Sequence, residues 1–285
     1  MSSTEAPFIR QPAVSGRFYP EDPVELKYLI NSYLDRAEQL DLGHIYGLVA
    51  PHAGYVYSGA VSGVAYKQIK GRQYKRVVVI SPSHFQAVHF ASVMPNGYYL
   101  TPLGLIPIDA LVVEIIAQGS CDGCVQKSNV GHSVSHRLGE HALEVQLPFL
   151  QVVLGDFSLV PIVMGDQSWH SCRMLAELLV PMVKAKDTLV VASSDLSHYH
   201  PYDKAKEIDN TLLTLVRRSD AEGVADGCAS RVVEACGGGP IATVMEIGKL
   251  VGASAPTVLA YATSGDVEHG SKDQVVGYSA IAIHE

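Results

Sequence analysis

The residues of this chain best suited to chemistry sit directly after short, strongly apolar runs. Ile45–Ala50 leads into Pro51-His52-Ala53-Gly54-Tyr55, Arg76–Ile80 into Ser81-Pro82-Ser83-His84, and Thr188–Ala192 into Ser193-Ser194-Asp195-Leu196-Ser197-His198. Such runs, as in Val77-Val78-Val79-Ile80, suit strands buried on both faces of a parallel sheet. Open α/β sheets bind ligands outside the carboxyl ends of their strands. If these strands are parallel, His52, His84, Asp195 and His198 converge on one rim. A lone loop histidine is more often a hydrogen-bonded structural residue, but three at corresponding strand ends favour a site. Imidazole nitrogen with carboxylate oxygen is the donor set of non-haem iron centres, and the same atoms hold zinc.

A fourth candidate is Cys236, in Cys236-Gly237-Gly238-Gly239-Pro240, where glycines permit close backbone approach and Pro240 marks a helix start. A thiol near a helix N-terminus has in general a lowered pKa, favouring thiolate as ligand or nucleophile. The alternative is a structural thiol beside a helix cap. Glu140-His141-Ala142-Leu143-Glu144 reads as the opening of a helix over Glu140–Leu154, with both glutamates on one face. It is not the His-Glu-x-x-His of zinc proteases, and Glu140 suits an electrostatic role in a first helical turn. Cys121 and Cys124 form a Cys-x-x-Cys without a partner pair at zinc-finger spacing, so they read as turn thiols without a role in function.

The elements that must carry these residues alternate. Asp22-Pro23 reads as an N-cap followed by proline at N1, opening a helix to about Leu40. Further helices are expected near Ser58–Ile69, Ile108–Gln118, Ser168–Lys184, Lys204–Arg218 and Pro240–Gly252. Additional strands are expected at Leu159–Met164, Thr257–Thr263 and Gln274–Ile283, and Val93–Ile108 reads as a hairpin insertion. This is the grammar of an α/β protein with a mainly parallel central sheet flanked by helices, and the absence of a linker or repeat favours one domain over residues 1–285.

Composition sets the outer bounds. The chain has 285 residues, 47% hydrophobic and 18% charged, with a formal net charge of −8. That supports a large core and argues against nucleic acid as partner, which needs clustered Lys and Arg. The first ten residues hold no apolar run, no stretch approaches the roughly 20 apolar residues of a membrane span, and five cysteines form a sparse, odd set. A cytoplasmic protein with reduced thiols is the expectation.

Taken together, Arg17-Phe18-Tyr19-Pro20, Pro51-His52-Ala53-Gly54-Tyr55, Ser81-Pro82-Ser83-His84, Glu140-His141, Ser194-Asp195, His198 and Cys236-Gly237 resemble the Memo family across nearly the whole chain. The resemblance implies a fold like that of class III extradiol dioxygenases. It places the family's metal-site residues on His52, His84 and Cys236, with Asp195 and His198 beside them as candidate catalytic residues. It further implies a non-haem iron site, Fe(II) first, with copper or zinc as alternatives, acting on a small-molecule or peptide ligand. Prokaryotic members carry the name AmmeMemoRadiSam system protein B, which implies association with an AMMECR-like protein and a radical SAM protein. Cys236 stands where the dioxygenases place a carboxylate, and a soft thiolate changes metal preference and redox behaviour. Animal members carry Cys-Gly-Arg here, whereas this chain has Gly238, as in the microbial branch. The function expected is therefore a metal-dependent, dioxygenase-like oxidoreductase, or else a binding module that kept the pocket and lost its chemistry.

Overall fold

In the computed structural model, residues 8–120, 123–132, 134–135 and 138–285 are described, so Cys121 lies outside the described residues. The elements run β1 (Ile9–Arg10), α1 (Pro23–Arg36), β2 (Ile45–Ala50), α2 (Tyr55–Lys67), β3 (Arg76–Pro82), β4 (Ala91–Val93), β5 (Tyr98–Thr101), β6 (Gly104–Pro107) and α3 (Ala110–Gly119). They continue with β7 (Val125–Lys127), β8 (Val134–Ser135), β9 (Leu138–Gly139), α4 (Leu147–Leu154), β10 (Ser158–Met164), α5 (Trp169–Lys184) and β11 (Thr188–Ser193). The C-terminal part adds β12 (His198–His200), α6 (Tyr202–Arg217), α7 (Ala221–Ala229), α8 (Gly238–Val251), β13 (Thr257–Thr263) and β14 (Val275–His284).

One mixed sheet organises them, in the order β12-β14-β2-β11-β3-β10-β4-β7, with β13 also paired to β14. Its centre is parallel: β11 pairs in parallel with β2 and β3, and β10 with β3. The flanks are antiparallel, β14 on β2 and β4 on β10. Every residue of β2 and β11 is buried, as the continuous apolar runs require of strands covered by helices on both faces. A single hydrophobic core runs from Val14 to Ile283.

Local signals explain the helix boundaries. Asp22 accepts hydrogen bonds from the Val24 and Glu25 N–H groups with Pro23 at the first helical position, and Ser168 caps α5 through Ser171 N–H. Two expectations change. The segment Glu140–Leu154 is not one helix: a 3₁₀ turn over Glu144–Gln146 precedes α4, so Glu140 lies outside any helix. Helix α8 opens at Gly238, two residues before Pro240. Helix α7, with two glycines in nine residues, carries too weak a pattern to be read beforehand.

The parallel centre matters because it aligns strand ends. Ala50 pairs with Ser193 and Ala192 with Ile80, so the segments after β2, β3 and β11 leave the sheet side by side. Among the described residues, no helix is long and apolar enough to cross a membrane.

Candidate metal centre

His52 follows β2 and is almost fully buried. Its backbone N–H donates to Asp195 Oδ1 at 2.8 Å, its Nδ1 lies 2.8 Å from Ser193 Oγ, and its Nε2 lies 3.2 Å from Cys236 Sγ. Burial, then the neighbouring His84 and His141, holds its pKa well below the ordinary histidine value, so the ring is neutral.

His84 follows β3 and is held by Glu140. The carboxylate accepts from the His84 backbone N–H at 2.5 Å and lies 3.0 Å from Nδ1. It also accepts from the N–H groups of His141 and Ala142, at 2.9 and 3.0 Å. Burial pulls the His84 pKa down, but the hydrogen bond and charge of Glu140 outweigh it and leave it above the ordinary value. Burial likewise opposes ionisation of Glu140, yet the His84 contact and backbone donors bring its pKa below the carboxylate norm. A carboxylate on Nδ1–H is the arrangement that orients a ligating histidine and leaves Nε2 as the lone-pair atom. Glu140 therefore serves the site rather than a helix end.

His141 is the residue whose role the sequence left open. Its ring stacks on His84 with centroids 5.2 Å apart and meets His52 edge-on at 5.7 Å. Burial lowers its pKa to about 4, so it too is neutral. One donor atom from each of His52, His84 and His141 lies within 4.8 Å of the others, and among the described residues this is the three-donor group at that separation. Cys236 stands outside that group but within reach of His52.

The Cys236 thiol does not follow the helix-terminus expectation. Burial and then the nearby Asp195 push its pKa up, not down. The backbone N–H groups of Asp195 and Gly237 and the Ser194 hydroxyl pull the thiol pKa down but do not offset burial. Gly237 N–H also donates to Ser194 Oγ at 2.9 Å, and Gly239 N–H to Gln167 Oε1 at 2.7 Å. Sγ itself accepts from Asp195 N–H at 3.3 Å. A Cβ on Gly237 would lie 2.5 Å from the Ser193 carbonyl oxygen, so only glycine lets this loop approach β11. Gln167 completes the clamp by donating to the Cys236 carbonyl at 2.9 Å.

Asp195 is buried and spends its carboxylate on the backbone of His52 and Ala53. Burial raises its pKa to about 7 despite those bonds and the nearby His84. His198 lines the same pocket, half-buried, with its pKa lowered by burial and partly restored by a bond to the Leu196 carbonyl. The pocket, about 880 Å³, is walled by Phe18, Val56, Tyr57, Tyr199 and Tyr278 around the imidazoles. Tyr199 holds φ +60°, an unusual backbone state for a bulky residue. Cys124 lies apart, on the loop entering the far edge strand β7, where its carbonyl accepts from Ala91 N–H.

The N-terminal segment closes one wall of the site. Phe18 packs edge-on against His141 at 4.9 Å, and the carboxylate of Glu144 fastens the segment behind it. Glu144 accepts from Ala13 N–H at 2.7 Å, Val14 N–H at 3.0 Å, Tyr19 O–H at 2.6 Å and the Arg10 guanidinium.

Known proteins place this chain in a family. A MEMO1 family protein of Nitrosopumilus maritimus is 36% identical over 279 residues, covering 96% of this chain and 98% of its own. Another, from Aeropyrum pernix, is 37% identical over 288 residues, covering 96% and 99%. The crystal structure of an uncharacterized protein from Escherichia coli K12 superposes with a TM-score of 0.55 at 13% identity, over 84% of this chain and 99% of that one, which shows a shared fold. The sequence pattern of the family described as Memo-like protein matches residues 10–282, and the chain belongs to the Memo family.

Proposed function

We propose that this Memo-family protein is a metal-dependent, oxidoreductase-like protein whose pocket holds a first-row metal through Nε2 of His52, Nε2 of His84 and Sγ of Cys236. The ligand it acts on is a small molecule or a modified residue. The observation that carries this reading is the commitment of Nδ1 on both rings, on Ser193 for His52 and on Glu140 for His84, which leaves each Nε2 as the donor atom. Fe(II) or copper held there would supply redox chemistry with O₂, whereas zinc would supply Lewis acidity alone.

The chain's own residues have separable tasks. Asp195 fixes the His52 loop through backbone hydrogen bonds. His198, neutral and half-buried on the pocket wall, accepts a proton from a bound phenol-like or similar acid at the ring nitrogen not engaged by Leu196. The walls exclude water from one side of the ligand and orient it by ring packing.

A second reading is a binding module in which the pocket recognises a peptide or partner protein without chemistry. The position of Cys236 favours it, because its Sγ stands outside the group in which His52, His84 and His141 bring three donor atoms within 4.8 Å of one another. Metal analysis of protein purified without chelator, then anaerobic loading with Fe(II) and an O₂-uptake screen over phenolic compounds, separates the two. Uptake that depends on His198 supports the enzyme. Bound metal with no O₂ consumed supports the module, and no metal bound overturns the metal reading.

A further inference from the structure

Ser193 and Gln146 stand behind His52, and the chemistry of their contacts leaves one solution for every proton. Gln146 Nε2 faces three oxygens, Ser193 Oγ at 2.7 Å, the Pro51 carbonyl at 3.0 Å and the Ala50 carbonyl at 3.3 Å. Its Oε1 receives the Tyr66 hydroxyl at 2.7 Å. The amide orientation is therefore fixed, since the reverse would set oxygen against two carbonyls. Ser193 Oγ lies 2.6 Å from the Ala142 carbonyl, which can only accept, so the serine proton goes there. Ser193 Oγ thus accepts from Gln146, and its remaining neighbour, His52 Nδ1 at 2.8 Å, must donate.

We infer that Gln146 and Ser193 are positioning residues that lock His52 in the Nδ1–H tautomer and so present Nε2 as a lone-pair donor atom of the site. Neither touches the pocket. Both are essentially fully buried, and through them the end of β2, the end of β11 and the Glu140–Ala142 turn are bound into one unit. His84 receives the same tautomer from a charged partner, Glu140. His52 receives it from a neutral relay, which suits a ring whose other nitrogen lies 3.2 Å from a thiol.

The inference rests on the metal-site reading only in its affinity arm; the tautomer is a property of the metal-free protein. Nitrogen-15 histidine NMR on the full chain stripped of metal, with His52→Gln to assign the signal, reads the tautomer directly. The expected result is a protonated Nδ1 and an unprotonated Nε2 at His52 in wild type and in Ser193→Thr, which keeps the hydroxyl. Ser193→Ala and Gln146→Met are expected to lose that single pattern. In titrations with zinc alone their affinity is expected to fall roughly 10–100-fold, with Ser193→Thr restored towards wild type. A proton on Nε2 of His52 in wild type, or the wild-type pattern surviving in Ser193→Ala, overturns the inference. Should Ser193→Ala not fold, the wild-type spectrum and Gln146→Met decide. If the tautomers behave as expected and wild type binds no zinc, the relay stands and the metal reading falls. Altered tautomers with unchanged zinc affinity overturn the positioning role.

Discussion

Replacing Glu144 with Gln is expected to loosen the N-terminal wall of the site and lower the stability of the whole chain. The carboxylate is fully buried and serves four donors, with Ala13 N–H and Arg10 on Oε2 and Val14 N–H and the Tyr19 hydroxyl on Oε1. An amide has one acceptor end. Either orientation of the substituted amide sets an NH₂ group against two donors, and the less costly one turns it towards Tyr19, whose hydroxyl can rotate to accept. Val14 N–H then loses its partner, and the buried Arg10 loses its counter-charge while keeping its contacts to the carbonyls of His132 and Glu140. Removing one partner of a buried ion pair costs about 3–5 kcal/mol. With an unfolding entropy near 2.1 cal/mol/K per residue, that corresponds to a melting temperature lower by roughly 5–8 °C for 285 residues. Thermal and urea unfolding of wild type and Glu144→Gln measure it. Arg10→Met is expected to cost less in the Glu144→Gln background than in wild type, since the pair is already broken. A midpoint within about 1 °C of wild type, or strictly additive costs, would refute the reasoning.

Two further outcomes follow from buried groups away from the metal donors and from the unused thiols. His132, sealed between Tyr99 and the Ser92 carbonyl, has its pKa lowered by burial to about 4. The unfolded chain therefore binds the extra proton first, and stability should fall as pH drops from about 6.5 to about 4, by about 3 kcal/mol in total. His132→Gln should flatten that segment of a stability–pH curve, and an unchanged slope would count against it. Replacing Cys121 and Cys124 together with Ser should leave bound metal unchanged, and loss of metal in that double variant would show a role for the pair.

What could be read beforehand follows the range of the forces involved. Ile45–Ala50 and Thr257–Thr263 were legible to the residue, because an apolar run bounded by turn residues is a local property. Asp22-Pro23 and Ser168 marked helix starts because a cap acts within three residues. His52, His84, Asp195 and His198 could be grouped because parallel strands share an exit edge. The helix expected from Glu140 starts only at Leu147, after a 3₁₀ turn, and the carboxylate's contact with His84, 56 positions away, is a long-range one with no local signal. The relay of Gln146 and Ser193, 47 positions apart, and the clamp of Gln167 on Cys236, 69 apart, leave no local signal. The thiol of Cys236 shows a related limit: helix position suggests a lowered pKa, whereas burial and then the charge of Asp195, 41 positions away, raise it against the neighbouring N–H groups.

The central claim is a metal held by His52, His84 and Cys236, and X-ray absorption at the zinc edge on anaerobically loaded protein tests it most directly. The expected spectrum contains one sulfur at about 2.3 Å and nitrogen at about 2.0–2.1 Å, with the sulfur and most of the affinity lost in Cys236→Ser and kept in Cys172→Ser. Nitrogen and oxygen scatterers alone in wild type, with equal zinc affinity in Cys236→Ser, would contradict it and hand the third position to His141.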